Sequence, residues 1–501
     1  MNAALAMRPL SALLQGYATA LPDLTVTGVE LDSRKVAPGA LFLAVRGHSR
    51  HGLAFAGEAL QRGAGAVAWE PDPGVAAPRL AVPVIAVDHL GAHAGEIAAR
   101  FWNHPSRGLF TVGVTGTDGK TSTAHLVTQA LDRLGAPCAY FGTLGYGRLD
   151  RLAVASHTTP DAVRLQRLLA EQRDAGMRAC AMEVSSHALD QSRVGGVEFR
   201  VAALTNVGRD HLDYHGSLES YAAAKRRLFA WPGLQAAVLN RDDARGAAWA
   251  RDRLDAAVTL YGLDGEPPAG QHVLGFDLQP HAAGLGFTVR SSWGEARIDS
   301  RLLGRFNAYN LLAALAVLLH HGTPLPAAAA ALSACGTVPG RAEGFRVPGS
   351  PLVVVDYAHT PQALGQILQA LRPHTAGRLW CVFGCGGDRD RGKRPLMGQA
   401  AAQLADRLIV TDDNPRSEDP AAIAAEILTG IPDAARQQLT VEHDRARAIE
   451  RAVSAASAQD VVLVAGKGHE DYQLYGQERR RFSDREFVGG LLGVAAAGQQ
   501  P

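Results

Sequence analysis

The segment Gly116-Thr117-Asp118-Gly119-Lys120-Thr121-Ser122 sets two glycines ahead of a lysine and two hydroxyl residues. An apolar, β-branched run from Phe110 to Val114 precedes it, and helix-like apolar spacing runs on from Thr121 to Leu134. A turn at a helix N-terminus offers unpaired backbone N–H groups and the positive end of the dipole to an anion, and glycines let the backbone come close. Lys120 is predicted to lie on the β/γ-phosphates of a nucleotide and Thr121 on Mg²⁺. Val114 stands where the first glycine of the full eight-residue phosphate loop would be.

Further residues suited to chemistry stand where apolar runs end. Met182-Glu183-Val184-Ser185-Ser186-His187 closes a strand with a carboxylate, placing Glu183 to hold Mg²⁺ beside a triphosphate. The segment Thr205 to Gly216 carries His211 and His215 with Asp210 and Asp213, and its spacing alone leaves the ion open between Zn²⁺ and Mg²⁺. In Tyr221-Ala222-Ala223-Ala224-Lys225-Arg226-Arg227-Leu228-Phe229 a helix is expected with Tyr221, Leu228 and Phe229 inward and Lys225 on the same inner face. Desolvation and the like charge of Arg226 and Arg227 are expected to ease loss of the Lys225 proton, and a neutral lysine reacts with CO₂ to give a carbamate.

Four more strand ends carry polar loops: Asp356-Tyr357-Ala358-His359, Gly384 to Arg394, Thr411 to Arg416, and Gly466-Lys467-Gly468-His469-Glu470. The second lacks dinucleotide-turn spacing, and its four cations, Arg389, Arg391, Lys393 and Arg394, read as an anion clamp. Together these loops suit a zwitterionic amino acid.

The elements that must position these groups alternate strand and helix, which predicts an α/β chain of mostly parallel sheets. Strands are expected at Leu41–Val45, Ala64–Trp69, Ala179–Val184, Ala236–Asn240, Leu352–Val355, Leu379–Phe383, Arg407–Thr411 and Val461–Ala465. Helices are expected at Ala162–Ala175 and over Tyr309–Ala334, broken once around Gly322–Pro326, and a frayed tail at Ala495–Pro501. The 501 residues suggest three domains, 1–105, 106–337 and 338–501. With 47% hydrophobic residues, 20% charged residues and a net charge of +1, nothing calls for nucleic acid or an anionic membrane. No leader-like segment is read at the start, and no apolar run approaches the ~20 residues that span a bilayer. Five scattered cysteines in apolar surroundings fit buried thiols in a cytoplasmic protein.

The motifs GTDGKTS, EVSSHAL, TNVGRDHLDYHG, YAAAKRRLF, GRFNAYN, VPGRAEGF, DYAHTP, GCGGDRDRGKR, DNPR and GKGHE occur in the order and spacing of the Mur ligases, which the chain resembles over essentially its whole length. The resemblance implies an N-terminal UDP-substrate-binding α/β domain, a central P-loop ATPase-like domain and a C-terminal Rossmann-like, amino-acid-binding domain. It further implies a cytoplasmic, monomeric enzyme using ATP and Mg²⁺ to join meso-diaminopimelate to the γ-carboxylate of D-glutamate in UDP-N-acetylmuramoyl-L-Ala-D-Glu, for peptidoglycan.

By that resemblance ATP meets Gly116, Thr117, Asp118, Gly119, Lys120, Thr121, Ser122, Asn307 and Arg341. The precursor meets Leu31, Ser33, His48, Thr158, Thr159, Ser185, Gln191 and Arg193. Diaminopimelate meets Arg389, Asp413, Asn414, Pro415, Arg416, Gly466 and Glu470. Lys120, His211 and Lys225 are the implied catalytic residues; Glu183, His211, Thr121 and a carbamylated Lys225 are the implied metal ligands. The family usually has asparagine at the position of Asp118, so this turn carries an added negative charge, and His157 replaces another frequent asparagine. The alternatives are a lysine-adding member, against which Arg416 argues because lysine lacks a second carboxylate to pair with it, a folylpolyglutamate synthetase, or a nucleotide-gated binding protein without ligation.

Overall fold

The structure is a computed structural model that describes residues 7–47, 50–155, 157–281 and 283–494; His48 and the expected tail Ala495–Pro501 lie outside the described residues. Packing divides the chain into two compact units, Met1–Leu260 and Tyr261–Pro501.

The first unit opens with a four-stranded parallel sheet, Val29–Glu30, Leu41–Ala44, Ala66–Trp69 and Val84–Ala86, paired in chain order. Leu41–Ala44 and Ala66–Trp69 are buried at every residue, which is why they read as unbroken apolar runs. The region is continuous in packing with residues beyond 105. Ala162 and Val163, which open the helix Ala162–Asp174, belong to its core, and Arg173 of that helix donates to the Trp102 carbonyl at 3.0 Å.

The second sheet of this unit sets its strands in the order Ala236–Asn240, Val201–Leu204, Phe110–Thr115, Ala179–Glu183, Cys138–Gly142, Gly145–Gly147, all parallel but the last. Phe110–Thr115 lies centrally, and the register pairs Val114 with Glu183 and Thr115 with Leu204. Three loops therefore start level with one another at the carboxyl ends of neighbouring strands, where open α/β sheets bind ligands.

In the second unit, the antiparallel strands Gln271–His281, Gly284–Ser291 and Gly294–Ser300 precede the helices Arg305–His320 and Leu325–Ser333. The two helices meet at the break expected near Gly322. A six-stranded sheet comes next in the order Glu343–Phe345, Leu352–Asp356, Val461–Ala465, Leu379–Phe383, Arg407–Val410, Leu439–Val441, parallel except at its first pair. His374 accepts from the Gly304 amide at 3.0 Å, and Leu303 enters the core of this sheet. All five cysteines are buried and free, as expected.

Candidate active site

The phosphate turn needs its glycines. Gly116 has φ 151° and Gly119, ahead of the helix Lys120–Arg133, has φ 81°; a Cβ on Gly116 would collide with the Thr205 hydroxyl. The Asp118 amide donates to the Asn206 side chain at 3.0 Å, and its carbonyl accepts from the Thr205 hydroxyl at 2.5 Å. The turn's path is thus held by backbone groups of residue 118, and the extra carboxylate is exposed.

Two lysines converge here. Lys120 Nζ donates to the carbonyls of Gly116 (3.0 Å) and Thr117 (2.8 Å), and Lys225 Nζ donates to the same Gly116 carbonyl at 2.7 Å. Lys225 is 1% exposed and its ammonium lies 4.3 Å from the Tyr221 ring centroid. Burial and then the charge of Lys120 hold its pKa well below the usual lysine range. The neighbour responsible differs from the one expected: Arg226 and Arg227 turn outward and pair with Asp252 (2.6 Å) and Asp190 (3.3 Å). The α-helix also stops at Arg226, and a 3₁₀ turn, Arg227–Ala230, carries Leu228 and Phe229 inward.

Glu183 is 1% exposed, and every partner described for its carboxylate is neutral. Tyr140 donates to Oε1 at 2.5 Å beside the Thr143 amide at 2.8 Å, while Thr121 of the phosphate turn donates to Oε2 at 2.9 Å. A buried carboxylate with a hydroxyl from the turn suits a hard cation that takes oxygen ligands. His211 is half exposed, 3.4 Å from Asp210, and its ring lies 4.8 Å from His187 and 6.2 Å from Tyr221. Burial is the first cause holding both His187 and His215 below the usual histidine pKa. Among the described residues no three His, Cys, Asp or Glu side chains form a metal-holding group. That donor set fits Mg²⁺, which keeps waters and substrate phosphates as ligands, better than a closed protein cage for Zn²⁺.

Five of the residues expected on the precursor form one network. The Thr158 hydroxyl lies 3.2 Å from that of Thr143, Thr159 donates to the Glu183 carbonyl at 2.8 Å, and the Ser185 hydroxyl lies 3.5 Å from that of Thr159. Arg193 donates to Gln191 Oε1 at 2.9 Å and to the Thr159 carbonyl at 3.3 Å. Ser33 instead donates to Glu58 at 2.6 Å, and Leu31 is half-buried. Tyr140, Thr143 and Tyr214, which donates to Asp190 (2.9 Å) and accepts from Gln191 (3.0 Å), were not singled out by sequence reasoning. Tyr140 sits in an apolar strand whose pattern signals only burial. Glu30, paired with Arg167 at 3.2 Å, is pushed up to about 7 by burial and was also missed.

In the second unit, Asn307 donates to the Leu303 carbonyl just ahead of its helix at 2.8 Å and accepts from Asn310 at 2.9 Å, so its amide is engaged at the helix start. Arg341 lies over the Tyr357 ring at 4.8 Å, and its Nε is buried without a hydrogen-bond partner among the described residues. The Asp356 carboxylate ties this loop in place by accepting from the amides of Ala342 (2.7 Å) and Ala358 (2.8 Å).

The residues expected on diaminopimelate gather at neighbouring strand ends. Asn414 donates to Glu470 at 3.1 Å, and a Cβ on Gly466 would stand 2.6 Å from Asp413 Oδ2. Arg416, after the buried Pro415, has φ 54° and donates to the Gly387 carbonyl at 2.7 Å. Both Arg416 and Arg389 flank Gly386. The four-cation clamp is not formed. Arg394 is fully buried and bonded to Glu418 and Glu426, Arg391 pairs with Glu426, and Lys393 donates to the His359 carbonyl at 2.9 Å. Glu418 and Glu426 thus neutralise charges that the linear sequence presents as available.

Parallel sheets that set a glycine-rich turn beside a buried carboxylate define a phosphate-loop α/β protein. Family models match along the chain: the Mur ligase family catalytic domain at residues 25–102, the Mur ligase middle domain at 114–318, and the Mur ligase glutamate ligase domain at 340–468. The chain is 51% identical over 498 residues to the UDP-N-acetylmuramoyl-L-alanyl-D-glutamate–2,6-diaminopimelate ligase of Alkalilimnicola ehrlichii, covering 97% of this chain and 99% of that protein. It is 48% identical to the protein of that name from Pseudomonas aeruginosa, covering 95% and 97%. A solved structure of a UDP-N-acetylmuramoyl-L-alanyl-D-glutamate–2,6-diaminopimelate ligase is similar with a TM-score of 0.75 at 37% identity, covering 97% of this chain and 99% of that one. The chain belongs to the Mur ligase family.

Proposed function

We propose that this chain is an ATP-dependent ligase that joins meso-2,6-diaminopimelate to the γ-carboxylate of D-glutamate in UDP-N-acetylmuramoyl-L-Ala-D-Glu, a step of peptidoglycan precursor synthesis. One observation carries the reading: Glu183 accepts from Thr121 of the phosphate turn through its side chain and from Thr159 of the precursor network through its carbonyl. A single residue thereby links the phosphate donor to the carboxylate acceptor.

The γ-carboxylate attacks the γ-phosphorus of ATP in line, ADP leaves, and an acyl phosphate forms. Lys120 offsets the charge that develops on the transferred group. The amine of diaminopimelate, having released its ammonium proton to solvent, attacks the acyl carbon; the tetrahedral intermediate then breaks its C–O bond to phosphate, which carries off the second amine proton, and an amide remains. Thr121, Glu183, His211 and Lys225 as its carbamate are the residues that would hold Mg²⁺, which supplies charge neutralisation at the phosphate oxygens. The carbamate is supported by the depressed pKa of Lys225: a neutral amine adds to CO₂, releases a proton, and becomes an anion beside Lys120.

The domain roles are 1–105 for the nucleotide precursor, 106–337 for ATP and 338–501 for the amino acid, in keeping with the three family models. The reading is of a cytoplasmic monomer. No helix among the described residues is long and apolar enough to cross a membrane.

The test is phosphate release from ATP, Mg²⁺ and UDP-N-acetylmuramoyl-L-Ala-D-Glu with either diaminopimelate or L-lysine. Release with diaminopimelate alone, and a tripeptide product by mass, supports the reading. Equal release with lysine overturns the specificity, and no release with either overturns the ligase.

A further inference from the structure

Arg445 is 1% exposed and makes four hydrogen bonds to three separate segments. Its Nε and Nη2 form a fork on Asp484 at 2.7 Å each, Nη2 also donates to the Ala465 carbonyl at 2.9 Å, and Nη1 reaches the Asp412 carbonyl at 3.3 Å. Asp484 itself is fully buried. Ala465 is the residue before Gly466, and Asp412 the residue before Asp413. The guanidinium therefore grips the two strand ends immediately ahead of two residues assigned to the amino acid.

Stability alone does not account for such a pair. Replacing a buried ion pair by apolar residues of similar volume is often neutral or stabilising, because desolvation offsets the Coulomb attraction. A planar fork with five donors does what an apolar side chain cannot, since it sets the distance between two backbone carbonyls. Asp484 balances the charge of Arg445 where the guanidinium is buried, so the fork needs no other carboxylate to hold it.

We propose that Arg445, held by Asp484, is a positioning residue that sets the spacing of Asp413 and Gly466 and thereby the affinity for the amino-acid substrate. The proposal rests on the ligase reading above. Two variants test it: Arg445→Lys, which keeps the charge but loses the fork, and the double variant Arg445→Met/Asp484→Leu, which removes both charges so that neither is stranded. The KM for diaminopimelate and the KM for the UDP-precursor, whose expected residues lie in the other compact unit, are measured beside thermal unfolding. Loosening one charge-assisted hydrogen bond to a bound substrate weakens binding about ten- to a hundredfold, so KM for diaminopimelate should rise by that factor in both variants, with KM for the precursor within about twofold. A folded double variant with wild-type KM for diaminopimelate overturns the proposal, as does a parallel change in both KM values that tracks the loss of melting temperature. Wild-type protein that releases no phosphate with diaminopimelate overturns the ligase reading and this proposal with it. Active wild type with insensitive variants overturns the proposal alone.

Discussion

Tyr140→Phe removes one hydroxyl and leaves a ring of nearly the same volume in a fully buried site. The lost bond is short, 2.5 Å, and ends on the carboxylate of Glu183, which is 1% exposed. Hydrogen bonds to charged groups contribute about 1.5–3 kcal/mol net, and the Thr143 amide and Thr121 hydroxyl remain as partners, so the lower half of that range, about 2 kcal/mol, is expected. For a unit of this size a loss of about 2 kcal/mol corresponds to a fall of roughly 4–8 °C in melting temperature. The same hydroxyl orients the carboxylate proposed to hold Mg²⁺, and loss of such an outer partner typically costs about ten- to a hundredfold in metal affinity. The assay is paired: thermal unfolding without metal, and Mg²⁺ half-saturation of phosphate release. A variant that melts within about 1 °C of wild type and keeps its Mg²⁺ half-saturation would refute the reasoning, because a bond to a buried charge has to register in one of the two.

Three further outcomes are expected. Lys120→Ala should lower phosphate release at least about a hundredfold, and Lys225→Ala should lose activity that a short-chain carboxylate partly restores; full activity in Lys225→Ala rules out the carbamate. Arg416→Lys, which gives up the bidentate fork, should raise the KM for diaminopimelate about tenfold or more and narrow the discrimination against lysine, read by the two-amine phosphate-release assay. Burial, then the charges of Arg341 and Arg485, lowers the His469 pKa to about 4. Between pH 6.5 and 4 the unfolded chain therefore binds the proton that the folded chain refuses, so stability is fully present above pH 6.5 and falls on acidification by about 1.4 kcal/mol per pH unit. His469→Gln should flatten that part of the urea-midpoint profile, and an unchanged slope would count against it.

Elements buried on both faces were legible as unbroken apolar runs, and Ala236–Asn240, Leu379–Phe383 and Val461–Ala465 begin and end where the pattern does. Helix ends were less so. The spacing of Tyr221, Leu228 and Phe229 announced which side chains go inward, but not that the α-helix stops at Arg226 and a 3₁₀ turn carries the last two into the core.

The sequence by itself determined the local chemistry: a glycine turn able to take positive φ, a lysine and hydroxyls after it, and carboxylates and amides at the ends of strands. These depend on residue type and near neighbours, since backbone freedom and hydrogen-bonding capacity are local properties. Only the tertiary structure decided which of those groups are already engaged. It brings Thr121 onto Glu183 across 62 residues, sets Lys120 rather than Arg226 or Arg227 against Lys225, and neutralises Arg394 with Glu418 and Glu426. Burial and charge proximity depend on strand order and register, and those are set by how the whole sheet packs.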